Sequence, residues 1–338
     1  MKKFLCIALA LVMVFSLAAC GAEKDTTETN EPTVTTTKLK LAHIFAQDGS
    51  ANLACERFAE LVSEKTNGAY AIEIYPNSQL GDERELCEAV TMGTVDMTLC
   101  GDSFIGWYVP EYASLCAFFT WESFDHAEKA YRGEIGEQLT AAYSDACNTT
   151  VLDYWMRAPR YICTTREIHN LADIKGLTLR IPDDTLYYES FKALGANPTP
   201  LSFDEIYMAI KQGTVEGLEN PLEDLYTNSF YDVSDYVIET AHQISMFALM
   251  INDDVLAKLP ADVQEIFKEC AIEAGDYQNE LMKAAEADYR AKLEEKGVTF
   301  IMPDDIQDWY DIINTEVPPK FDGVWKEGLL EEALALAE

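Results

Sequence analysis

Beyond its first forty positions the chain alternates short apolar runs with segments of helical spacing. Leu39-Lys40-Leu41-Ala42-His43-Ile44-Phe45 reads as a strand. A helix follows over 50–65, with Leu53, Phe58, Leu61 and Val62 on one side and Asn67-Gly68 as its stop. Tyr70 to Tyr75 alternates as a second strand. Asp82 caps another helix, with Glu85 placed for the reciprocal capping contact and Gly93 at the end, and Val95 to Cys100 is a third strand. The same grammar returns as a strand over 177–181, a helix over 184–194 and a helix over 203–212 opened by Ser202. Alternation of this kind predicts an α/β fold with a mostly parallel sheet. The helix ends also match: Ala89-Val90-Thr91-Met92-Gly93-Thr94-Val95-Asp96 parallels Ala209-Ile210-Lys211-Gln212-Gly213-Thr214-Val215-Glu216, and an Asp-Glu pair opens each helix (Asp82-Glu83 and Asp204-Glu205). Two similarly built lobes follow. A long charged helix over 261–296 and a strand over 298–302 complete a two-lobed clamshell with a long bracing helix.

The N-terminus carries an address. Lys2 and Lys3 precede an apolar run from Phe4 to Ala19, shorter than the ~20 residues of a spanning helix, and small residues follow. The Leu17-Ala18-Ala19-Cys20 ending resembles a bacterial lipobox, so residues 1–19 are expected to be a signal peptide and Cys20 the lipidated residue. From Ala22 to Thr37 there are seven threonines, one proline and a single large apolar residue, Val34, so residues 20–37 read as a flexible tether.

Composition narrows the function. With 25 Lys and Arg against 59 Asp and Glu, the net charge of −34 excludes nucleic-acid binding and a basic membrane surface. The hydrophobic share of 48% is ample for a core. Seven cysteines remain after Cys6 and Cys20. Their odd number and lack of a Cys-x-x-Cys pair point to core filling, not a disulfide framework or metal site. Nucleotide-binding, metalloprotease and nucleophile-elbow patterns are missing; Gly101-Asp102-Ser103-Phe104-Ile105-Gly106 has one residue too many for the last. The chain reads as a non-enzyme without cofactor or metal. Among its histidines, which lack metal spacing, His43 sits at a strand end where it could face a cleft. Arg180 ends the apolar strand Leu177-Thr178-Leu179-Arg180-Ile181-Pro182, the position beyond which ligands bind in open α/β sheets. A guanidinium there either grips a carboxylate by two hydrogen bonds or belongs to a structural ion pair. Arg160 is placed similarly, and the residues alone leave both readings open.

Longer motifs add a resemblance. Leu194-Gly195-Ala196-Asn197-Pro198-Thr199-Pro200, Phe203-Asp204-Glu205-Ile206-Tyr207, Glu219-Asn220-Pro221 and Ile74-Tyr75-Pro76-Asn77-Ser78-Gln79-Leu80-Gly81 resemble the solute-binding receptors of TRAP (tripartite ATP-independent periplasmic) transporters, of the DctP type. The resemblance runs from Lys38 onward. It implies an extracytoplasmic lipoprotein, anchored to the outer face of the bacterial cytoplasmic membrane, that captures a C4-dicarboxylate, sugar acid or 2-oxo acid. It also implies a monomer that closes on its ligand and delivers it to a TRAP permease. Arg180 matches the family's carboxylate clamp, Arg160 its second arginine, Asn220 the ligand-facing asparagine and Phe203 the packing aromatic. Glu83 and Asp102 fall at variable first-lobe contacts, and Trp155 and Arg157 lie in an unusual segment from which Arg157 could add positive charge to the cleft. By the same likeness one lobe spans 38–157 with 246–283 and the other 158–245 with 284–338. The rival readings are a lipid-anchored hydrolase and an ABC-importer substrate-binding protein.

Overall fold

Nine strands form one sheet in the computed structural model, which describes residues 36–337. The signal segment, Cys20 and most of the tether lie outside the described residues. The strands are β1 (Thr37–Ala42), β2 (Tyr70–Tyr75), β3 (Met97–Cys100), β4 (Thr149–Thr164), β5 (Thr178–Ile181), β6 (Asn197–Pro200), β7 (Gly217–Asn220), β8 (Tyr236–Asn252) and β9 (Thr299–Ile301). Their order is β2-β1-β3-β8-β4-β7-β5-β6, with β9 added to β8. The helices before β4 are α1 (Ser50–Lys65), α2 (Glu83–Thr91), α3 (Ser103–Tyr108), α4 (Phe124–Tyr131) and α5 (Glu134–Cys147). Those between β5 and β8 are α6 (Thr185–Ala193), α7 (Ile206–Lys211) and α8 (Leu222–Thr227). After β8 come α9 (Asp253–Leu256), α10 (Ala261–Glu295), α11 (Ile306–Glu316) and α12 (Leu329–Leu334).

The two ends of the sheet are built alike. β1 pairs in parallel with β2 and β3, and β5 pairs in parallel with β6 and β7. Gly93 and Gly213 close α2 and α7 with φ of 69° and 72°, a left-handed turn that glycine makes without steric cost. Beyond each glycine, Thr94 and Thr214 donate from their backbone N to Ala89 O and Ala209 O, both at 2.9 Å. The acid that follows then turns back onto the central strand: Asp96 accepts from Lys40 N at 2.7 Å, and Glu216 from Thr178 N at 2.9 Å. Capping boxes open both units, Asp82 with Glu85 and Ser202 with Glu205. The shared Gly-Thr-Val-acid motif therefore marks one design used twice, and it underlies the two-lobed α/β architecture expected from the sequence.

Long antiparallel strands β4 and β8 join the ends. Their nearly continuous burial hides the alternation by which a strand is recognised. Helix α10, of 35 residues, braces them over about 50 Å. Trp155 Nε1 donates to Ala271 O at 3.0 Å, and Asn279 Oδ1 accepts from Met156 N at 2.9 Å. Arg132 pairs with Asp153 of β4 and Asp276 of α10. The first strand ends at Ala42, short of Phe45, because backbone groups of His43 and Phe45 bond the turn around residues 75–78. β3 starts at Met97, since Val95 N still closes the end of α2 on Ala89 O. The seven cysteines from Cys55 to Cys270 are buried and free, filling core positions. Among the described residues no helix is long and apolar enough to cross a membrane.

At Gly275 the brace touches β4 directly. A Cβ there would collide with Arg132 Nη2, Asp153 Oδ2 and Trp155 Cδ1. Gly275→Ala is expected to destabilise the protein by about 1–3 kcal/mol, despite alanine's better helix propensity. A thermal melt with an unchanged or raised midpoint would contradict this packing.

Candidate functional site

The carboxyl ends of β1 and β3 on one side, and of β5, β6 and β7 on the other, enclose a cavity of about 670 Å³, its open mouth included. Convergence of strand ends is where an α/β sheet offers free backbone groups and helix starts to a ligand. Arg180, Arg160, Asn220, Phe203, Glu83, Asp102 and Arg157 all line it. In a regular strand Arg157 and Arg160, three residues apart, would face opposite sides. Register shifts between Met156 and Pro159 and between Arg160 and Ile162 let β4 present both to the cavity.

Four arginines of the wall differ in what they already hold. Arg160 is bound to Glu219 through Nε at 2.6 Å and Nη2 at 2.7 Å, both groups almost fully buried. His242 Nε2 lies 3.3 Å from the same carboxylate. Burial opposes ionisation of Glu219, but the Arg160 charge and the hydrogen bonds of His242 and Arg160 outweigh it and hold the carboxyl down at about 2. Arg157 donates to Asp224 and, at 3.3 Å, to Asn220 Oδ1, with its guanidinium 4.6 Å from the Phe247 ring centroid. Arg84 pairs with Asp183 at 2.8 Å, bridging α2 to the loop after β5. Arg180 alone has no carboxylate within ion-pair distance among the described residues. Its Nε and Nη2 donate to Leu201 O at 2.9 and 2.7 Å. Burial pulls its pKa down to about 10, against the pull of the Glu219 charge, so it stays cationic near neutrality.

Polar groups complete the wall. Glu83 Oε1 accepts from Gly101 N at 2.7 Å, and Asp102 Oδ2 accepts from Gln243 Nε2 at 2.9 Å. Burial raises the pKa of both carboxyls. Asn220 Nδ2 is a buried donor with no partner among the described residues. The segment starting at Gly101-Asp102-Ser103 is a strand-to-helix turn forming one wall of the cavity.

Two of the candidate residues lie elsewhere. His43 packs inward, 3.2 Å from Asn52 Oδ1, and burial lowers its pKa to about 4. Trp155 is spent on the α10 brace and is completely buried. A strand end and an unusual segment do not reveal which way a side chain turns. Conversely, Trp107, Tyr187, Arg84 and Asp183 line the cavity without having been singled out. Asp183, three residues beyond Arg180 at the same strand end, was the most accessible signal. The buried partners Glu219 and Asp224 were hidden among the abundant acids.

The family model for bacterial extracellular solute-binding protein, family 7 (DctP), matches residues 41–321. The chain belongs to this family. It is a TRAP-type solute-binding protein. A solute-binding protein of Roseobacter denitrificans is 35% identical over 266 residues, 79% of this chain and 82% of that one. The crystal structure of a TRAP periplasmic solute binding protein from the same organism, with bound L-galactonate, superposes with a TM-score of 0.82 at 31% identity, covering 89% of this chain and 98% of that chain. A TRAP periplasmic solute binding protein from Sulfurospirillum deleyianum, with bound succinate, gives 0.83 at 27% identity, covering 88% and 98%.

The Arg160–Glu219 pair of this solute-binding protein makes a stability prediction. Glu219→Gln strands a buried guanidinium and is expected to cost about 3–5 kcal/mol in denaturant unfolding. Unfolded Glu219 takes up its proton near its ordinary 4.5, whereas the folded group holds out to about 2. The unfolded state therefore binds more protons between these values, and stability is lost as pH falls through that window. The variant should lose stability less steeply there, and equal slopes would count against the pairing.

Proposed function

We propose that this protein is an extracytoplasmic receptor that captures a small organic acid through a carboxylate–arginine contact at Arg180 and delivers it to a TRAP permease. The observation carrying this is the buried Arg180 guanidinium without a carboxylate partner among the described residues. A desolvated cation with spare donors binds an anion strongly, because a planar guanidinium can offer two parallel hydrogen bonds. Asn220 and Phe203 stand beside it, the first as a donor and the second as an apolar face. In this reading Arg160 holds Glu219 in place and acts on the ligand through position and field. The L-galactonate of one relative and the succinate of another support an acid of this size.

The lobes are assigned as 38–157 with 246–283, and 158–245 with 284–338, closing by hinge motion in β4 and β8. Bonds across the cavity mouth favour the closed arrangement: Arg84 to Asp183, and Trp107 Nε1 to Asp183 O at 2.6 Å. A monomer tethered through a lipid on Cys20 keeps the captured acid close to the permease.

Arg180→Ala is expected to lower affinity for the bound acid by about 2–5 kcal/mol in calorimetry while the far-ultraviolet spectrum is retained. Arg180→Lys should also weaken binding strongly, since an ammonium cannot make the planar two-point contact. Affinity unchanged in both variants would overturn the assignment. For anchoring, Cys20→Ala should move the protein from the membrane fraction to the soluble fraction or leave it unprocessed. Wild-type protein that incorporates no fatty-acid label would contradict lipidation.

A further inference from the structure

The charge inventory of the cavity wall limits what kind of acid fits, given the carboxylate reading above. Three of the four arginines in the wall are already neutralised: Arg84 by Asp183, Arg157 by Asp224 and Arg160 by Glu219. One positive charge, Arg180, is left for the ligand. The opposite wall supplies carboxylates. Glu83 commits one oxygen to Gly101 N, and its Oε2 has no partner among the described residues. Asp102 accepts from Gln243, lies 3.4 Å from the Tyr187 hydroxyl through Oδ1, and retains further lone pairs. We infer that the cavity is built for a polyhydroxylated monocarboxylate, an aldonate-type sugar acid, with Arg180 and Asn220 at the carboxylate end and Glu83 and Asp102 accepting from its hydroxyls.

Each alternative meets a specific cost. A second ligand carboxylate would face Glu83 and Asp102 with no uncommitted cation, a like-charge contact in a poorly hydrated space. An aliphatic tail would leave those carboxylates desolvated and unpaired. An α-amino acid would suit Glu83, but its ammonium is a donor only and could not accept from the Arg157 Nη1 that flanks the same corner. A Cβ at Gly101 would lie 3.1 Å from Glu83 Oε1 and 3.6 Å from Arg157 Nη1, so both groups flank the same glycine. A hydroxyl donates to the carboxylate and accepts from the guanidinium, which is what that corner offers.

Calorimetry on the wild-type protein with D-gluconate, L-galactonate, D-galactonate, D-erythronate, hexanoate, succinate, L-malate and L-threonine tests this. At least one polyhydroxylated monocarboxylate should bind about tenfold or more tighter than succinate, malate, hexanoate and threonine. Glu83→Gln should weaken that aldonate about tenfold while succinate binds equally well or better, because the variant removes the repelling charge and keeps the shape. Asp102→Asn provides a second test should the first variant fold poorly. Succinate or malate within tenfold of the best aldonate in the wild type, or threonine binding tighter, would overturn the inference while leaving the Arg180 contact intact. Absence of binding by any acid in the panel would overturn the carboxylate reading itself.

Discussion

Two arginines stand close together in the floor of the cavity, and they differ because of a third residue. Glu219 grips Arg160 with both carboxylate oxygens, and His242 supports the grip from the other side. Without Glu219, two buried guanidinium groups would repel each other and the floor would need water or an anion simply to exist. With Glu219 present, Arg160 becomes fixed framework, and Arg180 is left without an ion-pair partner among the described residues. A buried ion pair contributes little net stability compared with an apolar replacement. Its worth here lies in separating the roles of two chemically identical side chains.

The scaffold serves the same end. β4 and β8 carry the sheet from one unit to the other, and the irregularities of β4 fall where Arg157 and Arg160 must face the same way. Pro159 sits at one register shift, where a residue lacking a backbone N–H costs the ladder least. Helix α10 braces β4 just before that irregular stretch, through Trp155, Met156 and Gly275. Rigidity is concentrated beside the arginines.

Local chemistry made much of this legible. The limits of α1 and β2 follow from hydrophobic spacing and a glycine stop. The capping boxes at Asp82 and Ser202 are written in the residues that make them. The twin Gly-Thr-Val-acid turns were visible as a repeat, although only their hydrogen bonds show why an acid is needed at Asp96 and Glu216. Long-range choices were not legible. β4 and β8 are largely buried along their length and show no clear alternation, His43 and Trp155 turn into the core for reasons of packing, and nothing local shows that Glu219, although part of the Glu219-Asn220-Pro221 motif, is the acid that pairs with Arg160. The arginines were informative because they are scarce, whereas the acids were opaque because they are common.

The seven buried thiols have a consequence of another kind. Burial pushes Cys147 and Cys270 up to about 11 and Cys163 to about 12, and raises Cys55, Cys100 and Cys116 as well. Thiol–disulfide exchange needs the thiolate, and a group with such a pKa is ionised in roughly one molecule in ten thousand at neutral pH. Sealed in the core, these six sulfurs are poor partners for outside oxidants and reductants alike. Exchange with thiols or disulfides outside the protein would require the core to open first.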